Sequence, residues 1–303
     1  MKKAWILAAA LSVACGGAVT NGADEDNLDA IGGGGAQEPP MLGIHFARGE
    51  AHSSGGAGTA GDMLWHNGAI MTSATTEAIY WGASWADSNF AGDKITGLDT
   101  WYSGFSGSNY AKTSDEYTGT NGQVGASTTH QGHVVDTSAA PHHAPRVSAI
   151  LAEVCKEITS PVANGYYAVY VDQKRGGAGY CAWHSYGTCG STPVQIAFFF
   201  NLDGDANCDP GDTSGLHSQG LSALSNVSGH ELSEARSDPR NGGWYDSSGA
   251  ENGDKCAWTF GAPLVSFSNG SQWKIQGEWS NAAFDSGTGY ANSAGQLGCL
   301  SGQ

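Results

Sequence analysis

The chain has 303 residues, and its 13 Lys and Arg against 29 Asp and Glu give a formal net charge of −16 at pH 7. This acidity excludes the clustered positive charge that nucleic acids and anionic membrane surfaces require, so neither is an expected partner. Only 14% of the residues are charged, yet there are 46 Gly, 10 Trp and 11 Tyr. This composition predicts a loop-rich folded protein rather than a disordered chain.

The first fifteen residues predict an export signal. Lys2 and Lys3 precede a mostly apolar run over residues 4–14, which is too short to cross a bilayer as a helix. Cys15, followed by two Gly, resembles the lipid-modified cysteine of bacterial lipoproteins. Residues 1–15 are therefore predicted to be a signal peptide, and the location is expected to be extracellular or in the cell envelope. Secretion and lipidation both remain open, and the only expected membrane contact is a lipid anchor at Cys15.

The next part of the chain predicts a flexible tether over residues 16–61. It contains acidic, Gly-rich, Pro-Pro and Ser-Gly stretches, which cannot bury enough apolar surface to offset their ordering entropy. Within it, residues 41–46 are apolar and are expected to dock on the folded part. A single domain is then predicted over residues 62–303.

Helical and strand patterns alternate through this domain. Apolar residues at helical spacing indicate helices, and short β-branched or aromatic runs indicate buried strands. Helices are predicted over residues 95–105, 145–158 and 216–237, and strands over residues 78–85, 166–171 and 194–200. This alternation predicts an α/β or α+β fold.

Six cysteines remain once Cys15 is set aside: Cys155, Cys181, Cys189, Cys208, Cys256 and Cys299. An even number in an exported chain predicts three disulfides, with fifteen possible connectivities. Zinc bound by cysteines is the alternative, but the chain has no paired CxxC spacing to support it.

The last predicted helix contains the residues best suited to chemistry. His230 and Glu234 are four positions apart, so both project from one helix face, and Asp238 follows four positions later. This is the layout of the HExxH metallopeptidase helix, with Glu234 in the place of the second histidine. It predicts a divalent-metal site, with zinc expected and calcium as the alternative, and Glu231 as the base. The competing interpretation is an ordinary helix whose carboxylates are solvated or satisfied by nearby donors.

The loop after this helix supplies further candidates. Glu251 and Asp254 precede Cys256, and their carboxylates are predicted as additional oxygen ligands at the helix end. The hydroxyl of Tyr245 is a second catalytic candidate, since a phenol can donate to a developing oxyanion. Core packing is the alternative role for Tyr245.

The segment from His230 to Trp258 resembles the central signature of the phosphate-induced protein 1 family, whose plant members are the EXORDIUM proteins. The family pattern is His-Glu-x-x-Glu, an Asx-Pro, Trp-Tyr, then an acidic residue shortly before Asp-x-Cys. Its counterparts here are His230, Glu231, Glu234, Asp238-Pro239, Trp244-Tyr245, Glu251, Asp254 and Cys256. Residues 79–82 and 179–184 are similar to further family segments, so the resemblance extends over about residues 65–299.

The resemblance implies an exported, cell-wall-type protein, and the export signal suggests a bacterial member. The family itself implies no reaction. Together with the metal-ligand spacing, the resemblance leads to the hypothesis of an exported metal-dependent hydrolase, with a peptidase as the candidate type, acting on a peptide or a cell-surface polymer. The alternative is a non-catalytic extracellular binding protein in which the same helix is structural.

Other histidines and acids carry weaker hypotheses. His184 lies between Cys181 and Cys189 and is expected to be a ligand or a supporting donor. His130 and His133 lie in a Gly- and Ser-rich stretch and are interpreted as solvated loop residues. The acidic run from Asp203 resembles half of a calcium loop without its closing glutamate.

Overall fold

The structure, a computed structural model, describes residues 38–50 and 61–303. The predicted signal peptide and residues 16–37 and 51–60 of the predicted tether lie outside the described residues. The strands are β1 (Leu42–Phe46), β2 (Leu64–Trp65), β3 (Ala74–Trp81), β4 (Thr118–Gly119), β5 (Gly122–Gln123), β6 (Thr128–Asp136), β7 (Gly165–Lys174), β8 (Tyr180–Cys189), β9 (Thr192–Asn201), β10 (Trp244–Tyr245), β11 (Val265–Ser266), β12 (Gln272–Trp273), β13 (Glu278–Trp279), β14 (Tyr290–Ala291) and β15 (Leu297–Leu300). The helices are α1 (Ser88–Ala91), α2 (Lys94–Phe105), α3 (Val147–Glu157), α4 (Gln219–Ser237), α5 (Asn252–Lys255) and α6 (Asn281–Ser286).

A six-stranded mixed sheet forms the centre of the fold, in the order β1-β8-β9-β7-β3-β6. Strands β9, β7, β3 and β6 run parallel to one another, whereas β8 is antiparallel to β9 and β1 is antiparallel to β8. The helices between the parallel strands make the protein a mixed α/β fold, which confirms the predicted class.

The predicted strand over residues 78–85 is shifted in the structure. Strand β3 begins earlier, at Ala74, and ends at Trp81, after which Ala83–Ala86 form a 3-10 turn. Gly82 has a φ of 129°, a conformation that only glycine adopts easily, so the extended chain turns there.

Helices α2 and α4 lie on one face of the sheet, and helix α3 lies on the other. Helices α2 and α4 pack against each other, and on their side the Tyr170 hydroxyl of β7 bonds the Ser228 hydroxyl of α4 at 2.7 Å. On the other face, Leu151 of α3 packs over Gly187 of β8. Since side chains alternate along a strand, His184 of β8 faces α4 instead.

Helix α4 is buried on every side. Its N-terminus is capped by the Ser218 hydroxyl, which accepts from the Leu221 backbone N–H at 3.1 Å. All residues from Gly220 to Ser237 are buried, as expected of a helix in a protein interior rather than on its surface. The polar side chains of α4 must therefore find their partners inside the protein.

Three disulfides are formed, as predicted from the even number of cysteines. They are Cys155–Cys189, Cys181–Cys208 and Cys256–Cys299. The first links α3 to the end of β8, and the third links the end of α5 to β15. Three disulfides in a chain of this size are typical of proteins that fold in an oxidising compartment. No helix in the described part of the chain has the length and apolar character to cross a lipid bilayer.

Candidate metal centre

One turn of α4 brings His230 and Glu234 together. The His230 Nε2 lies 3.0 Å from the Glu234 Oε2 and 3.6 Å from the Asp254 Oδ1. Asp254 belongs to α5, and its Oδ2 accepts from the Glu251 backbone N–H at 3.1 Å. That bond leaves the Oδ1 of Asp254 directed at His230, so one imidazole and two carboxylates converge there.

A second group shares Glu234. His184, Glu231 and Glu234 each place a potential ligand atom within 4.8 Å of the others. The His184 Nε2 lies 3.9 Å from the Glu234 Oε2 and 3.4 Å from the Glu251 Oε1. The Glu234 Oε1 accepts from the Asp254 backbone N–H at 2.9 Å. The Oε2 is therefore the atom that faces both imidazole rings.

Two of the predicted site residues serve other contacts. The Asp238 Oδ1 accepts from the backbone N–H groups of Gly242 and Gly243 at 2.8 and 2.7 Å, so this carboxylate closes the turn after α4. The Tyr245 ring stacks on His66, with a centroid distance of 3.5 Å. Asp238 belongs to none of the three groups of potential ligands among the described residues.

The carboxylates of the centre are buried close together. Burial raises the pKa of Glu231, Glu234, Glu251 and Asp254 well above their usual values, and the charges of neighbouring carboxylates raise it further, although backbone N–H groups oppose this at Glu231, Glu234 and Asp254. Burial, and then the neighbouring His230, lower the pKa of His184 to about 3. The electrostatics of the centre thus disfavour several negative charges unless a cation accompanies them.

The free ligand atoms fit a divalent cation. Within the described part of the chain, the Glu234 Oε2 and both ring nitrogens of His184 make no hydrogen bond, and the Glu231 carboxylate faces the backbone N–H of His45. Buried polar atoms normally have partners, and such atoms in a cluster are suited to metal ligation. Imidazole nitrogen with carboxylate oxygen is a donor set that zinc accepts, and additional carboxylates favour harder cations such as calcium.

Gln276 fixes the orientation of the His230 ring. Its Nε2 donates to the Gly253 carbonyl at 2.8 Å and lies 3.1 Å from the His230 Nδ1. Its Oε1 accepts from the Trp258 backbone N–H at 3.3 Å and lies 3.0 Å from the His45 Nε2. The two backbone contacts assign the amide orientation, so the His230 Nδ1 is an acceptor and the proton of its neutral ring is on Nε2. His184 is consequently the imidazole that offers a lone pair without moving a proton.

Strand β1 covers the centre. The Gly43 backbone passes so close that a Cβ there would lie 2.0 Å from the Glu234 Oε2 and 2.4 Å from the His184 Cδ2. The His45 ring lies 4.2 Å from the His230 ring, and His45 is fully buried. The sequence predicts that residues 41–46 dock on the domain, but it contains no signal that they cover this site.

The structure gives the other histidines and the acidic run different surroundings from those predicted. His130 and His133 lie on strand β6 rather than in a loop, and both contact the Asp99 carboxylate, at 2.9 and 2.7 Å. In the acidic run that resembles a calcium loop, the Asp203 carboxylate pairs with Lys94, and the Asp205 carboxylate pairs with Arg175. These acids already have cationic partners from the chain itself.

Comparisons with known proteins add no relative: no family model, no curated protein and no solved structure matches this chain. The resemblance to the phosphate-induced protein 1 family therefore remains a prediction from the quoted residues. The proposal that follows is supported by the geometry of the centre.

Proposed function

We propose that the chain is an exported, metal-dependent hydrolase whose metal centre is built around Glu234. The supporting observation is the convergence of His184, His230 and buried carboxylates on one Glu234 oxygen, together with ligand atoms that make no hydrogen bond. Glu234 would hold the cation with His184, and Glu251 or Asp254 would add an oxygen ligand. His230 would join them once its Nε2 proton is displaced.

A cation held there would supply Lewis acidity, which polarises a substrate carbonyl and makes a water more acidic. The chain supplies the base. Glu231 belongs to the same group as His184 and Glu234, and burial raises the pKa of its carboxyl, with further contributions from the charges of Glu234 and Asp254. A carboxylate with a raised pKa is a better proton acceptor near neutral pH. Tyr245 remains the candidate donor to a developing oxyanion. Burial raises the pKa of its hydroxyl, and the charges of Asp238 and Glu251 raise it further.

A second candidate function follows from the burial of the centre. His184, His230, Glu231 and Glu234 are all fully buried, which is typical of a structural metal site rather than an open catalytic one. In that case the protein would be a non-catalytic extracellular or cell-wall-associated binding protein. The resemblance to the phosphate-induced protein 1 family supports this setting but does not choose between the two functions.

Metal analysis and hydrolysis assays of matched variants separate the candidates. Elemental analysis of the purified full chain is compared for wild type, Glu231→Gln, Glu234→Gln, His184→Ala and His230→Ala, and peptide hydrolysis is measured in parallel. The enzyme proposal expects Glu231→Gln to keep the metal and lose hydrolysis, and Glu234→Gln to lose both. Glu50→Gln, at an exposed residue outside every described group of potential ligands, is the control.

Each contrary result has a definite meaning. A folded wild type that carries no zinc, calcium or other divalent ion, even after incubation with each, would falsify both forms of the metal proposal. Stoichiometric metal in wild type without hydrolysis of any peptide, and with equal stability of Glu231→Gln, assigns the centre a structural role.

A further inference from the structure

Strand β1 occupies the edge of the sheet next to the metal centre. It is the outermost strand of the order β1-β8-β9 and pairs antiparallel with β8, which carries His184. An extended peptide binds a sheet in this same way, adding a strand at an open edge through main-chain hydrogen bonds. Without β1, the edge of β8 beside the centre would be open.

The pairing of β1 is irregular directly over the centre. Leu42 pairs with His184 and His45 pairs with Ala182, so β1 advances three residues while β8 advances two. The additional residue lies at the bulge formed around Gly43, which has a φ of 49°. Bulges re-aim the backbone and are frequent beside active sites. Here the bulge places the Gly43 backbone against Glu234 and His184.

The other contacts of β1 also reach the centre. The His45 backbone N–H faces the Glu231 carboxylate, and the His45 ring packs on His230. Leu42, Ile44 and Phe46 alternate with these residues and remain half-buried. One face of the strand therefore contacts the proposed ligands and base, while the other retains apolar side chains near the surface.

We infer that β1 occupies the binding site of an extended peptide, and that the substrate of the proposed hydrolase is a peptide segment with glycine at the position of Gly43. The identification of this peptide as a substrate rests on the proposed function, whereas binding of the peptide to β8 does not require hydrolysis. A side chain at the central position would collide with Glu234 and His184. The preferred segment is thus extended, with apolar residues on either side of the glycine.

The test replaces β1 by a peptide supplied in solution. A recognition sequence for a site-specific protease is inserted between Ser54 and Gly55 of the full chain, and the purified protein is cut to completion. Cutting removes the high effective concentration that the covalent connection gives β1. Binding of a fluorescent peptide with the sequence of residues 38–48 is then followed by anisotropy, and release of the N-terminal fragment by mass spectrometry.

The cut protein is expected to bind the peptide and release its fragment, whereas the uncut protein binds at least tenfold more weakly. The same peptide with Gly43→Val is the matched control and is expected not to bind. A second variant needs no cut: Gly43→Val in the full chain displaces β1, so this protein should bind the wild-type peptide.

Three outcomes would overturn the inference. They are no exchange in the cut protein even with a large excess of peptide, equal binding of the wild-type and valine peptides, and no gain of binding in the folded, uncut Gly43→Val protein. The proposed hydrolase fails separately, through absence of metal or of cleavage of the bound peptide, even where exchange occurs.

Discussion

At the scale of single residues, substitutions of Gly43 and Gly49 distinguish the cost of backbone strain from the cost of a steric clash. Both have positive φ, 49° and 81°, but a Cβ at Gly43 meets Glu234 and His184, whereas a Cβ at Gly49 meets nothing within 4 Å. Gly49→Ala should lower the free energy of unfolding by about 1–2 kcal/mol, from the left-handed conformation alone. Gly43→Ala should cost more, because β1 must also move. Thermal unfolding of both variants checks this, and equal losses would contradict the close approach of β1.

The side chain of Gln276 holds several groups of the centre in place. Its amide contacts the rings of His45 and His230 and two backbone groups, all inside the protein. Gln276→Ala leaves those groups without partners and should lower the free energy of unfolding by about 1–3 kcal/mol. Gln272→Ala, at an exposed glutamine nearby in sequence, should change it by less than about 0.5 kcal/mol. Urea titrations of both variants make the comparison, and similar midpoints would reject the role of Gln276.

Two of the candidate ligands that the sequence predicts are linked by local geometry. His230 and Glu234 share a helix face, and the spacing of one helical turn could be read directly from the residues. His45 and Gln276 reach the centre from a strand and a loop that are distant along the chain. No local pattern encodes such contacts, because they depend on how the sheet is assembled. His184 could be named as a candidate only because two cysteines flank it.

At the scale of structural elements, two disulfides of similar loop length provide a matched pair. Cys256–Cys299 spans 43 residues and holds the end of α5, next to Asp254, whereas Cys155–Cys189 spans 34 residues and joins α3 to β8. Loop closure predicts a similar stabilisation from each, about 4 kcal/mol. Replacing either pair by serine should therefore lower thermal stability comparably.

Only the loss of Cys256–Cys299 should also reduce the metal content, since it frees α5 and its ligand residues. Elemental analysis of the two double variants, both prepared as folded protein, gives the comparison. Equal metal contents would show that α5 keeps its position without the disulfide.

The end of α3 should make stability depend on pH. Burial, followed by a hydrogen bond with Asp136, raises the pKa of Glu153 to about 7, against the opposing effect of Lys156. The folded protein therefore holds the Glu153 proton more tightly than the unfolded chain, whose ordinary value is 4.5. This stabilisation is fully present below about pH 4.5 and is lost as the pH rises to about 7.

Glu153→Gln keeps a neutral side chain at every pH. The difference in Tm, variant minus wild type, should therefore be larger at about pH 8 than at about pH 5. Differential scanning calorimetry at both values measures the two differences, and a constant offset would reject the raised pKa.

The elements were predicted more accurately than their arrangement. The sequence predicts a helix over residues 216–237, and α4 is observed at Gln219–Ser237. The C-terminal end agrees because the Asp238-Pro239 step marks it locally. The reversed strand β8 and the position of β1 at the sheet edge have no comparable local markers. Sheet order depends on long-range packing of buried strands, which look alike in sequence.

At the scale of the whole molecule, the acidic centre should tie stability to a bound cation. A ligand present at one hundred times its Kd stabilises the folded state by about 2.7 kcal/mol. For a domain of this size, each kcal/mol corresponds to about 2–4 °C. Removing the metal with EDTA should therefore lower the Tm by roughly 5–10 °C, and zinc or calcium added back should restore it.

The Glu234→Gln variant provides the control for this measurement. Its Tm should not respond to EDTA, because the shared ligand oxygen is altered. An equal response of wild type and Glu234→Gln would place the effect of the chelator elsewhere in the protein.

If Cys15 carries a lipid, the length of chain between Cys15 and β1 limits the reach of the centre from the membrane. Cys15 precedes Leu42 by 27 residues (42 − 15), and a fully extended chain spans at most about 3.3–3.6 Å per residue. A lipid on Cys15 would therefore confine the metal centre to a layer of roughly 90–100 Å above the bilayer. Such an anchored molecule would work only on polymers within that layer, whereas a secreted form would diffuse to targets anywhere around the cell.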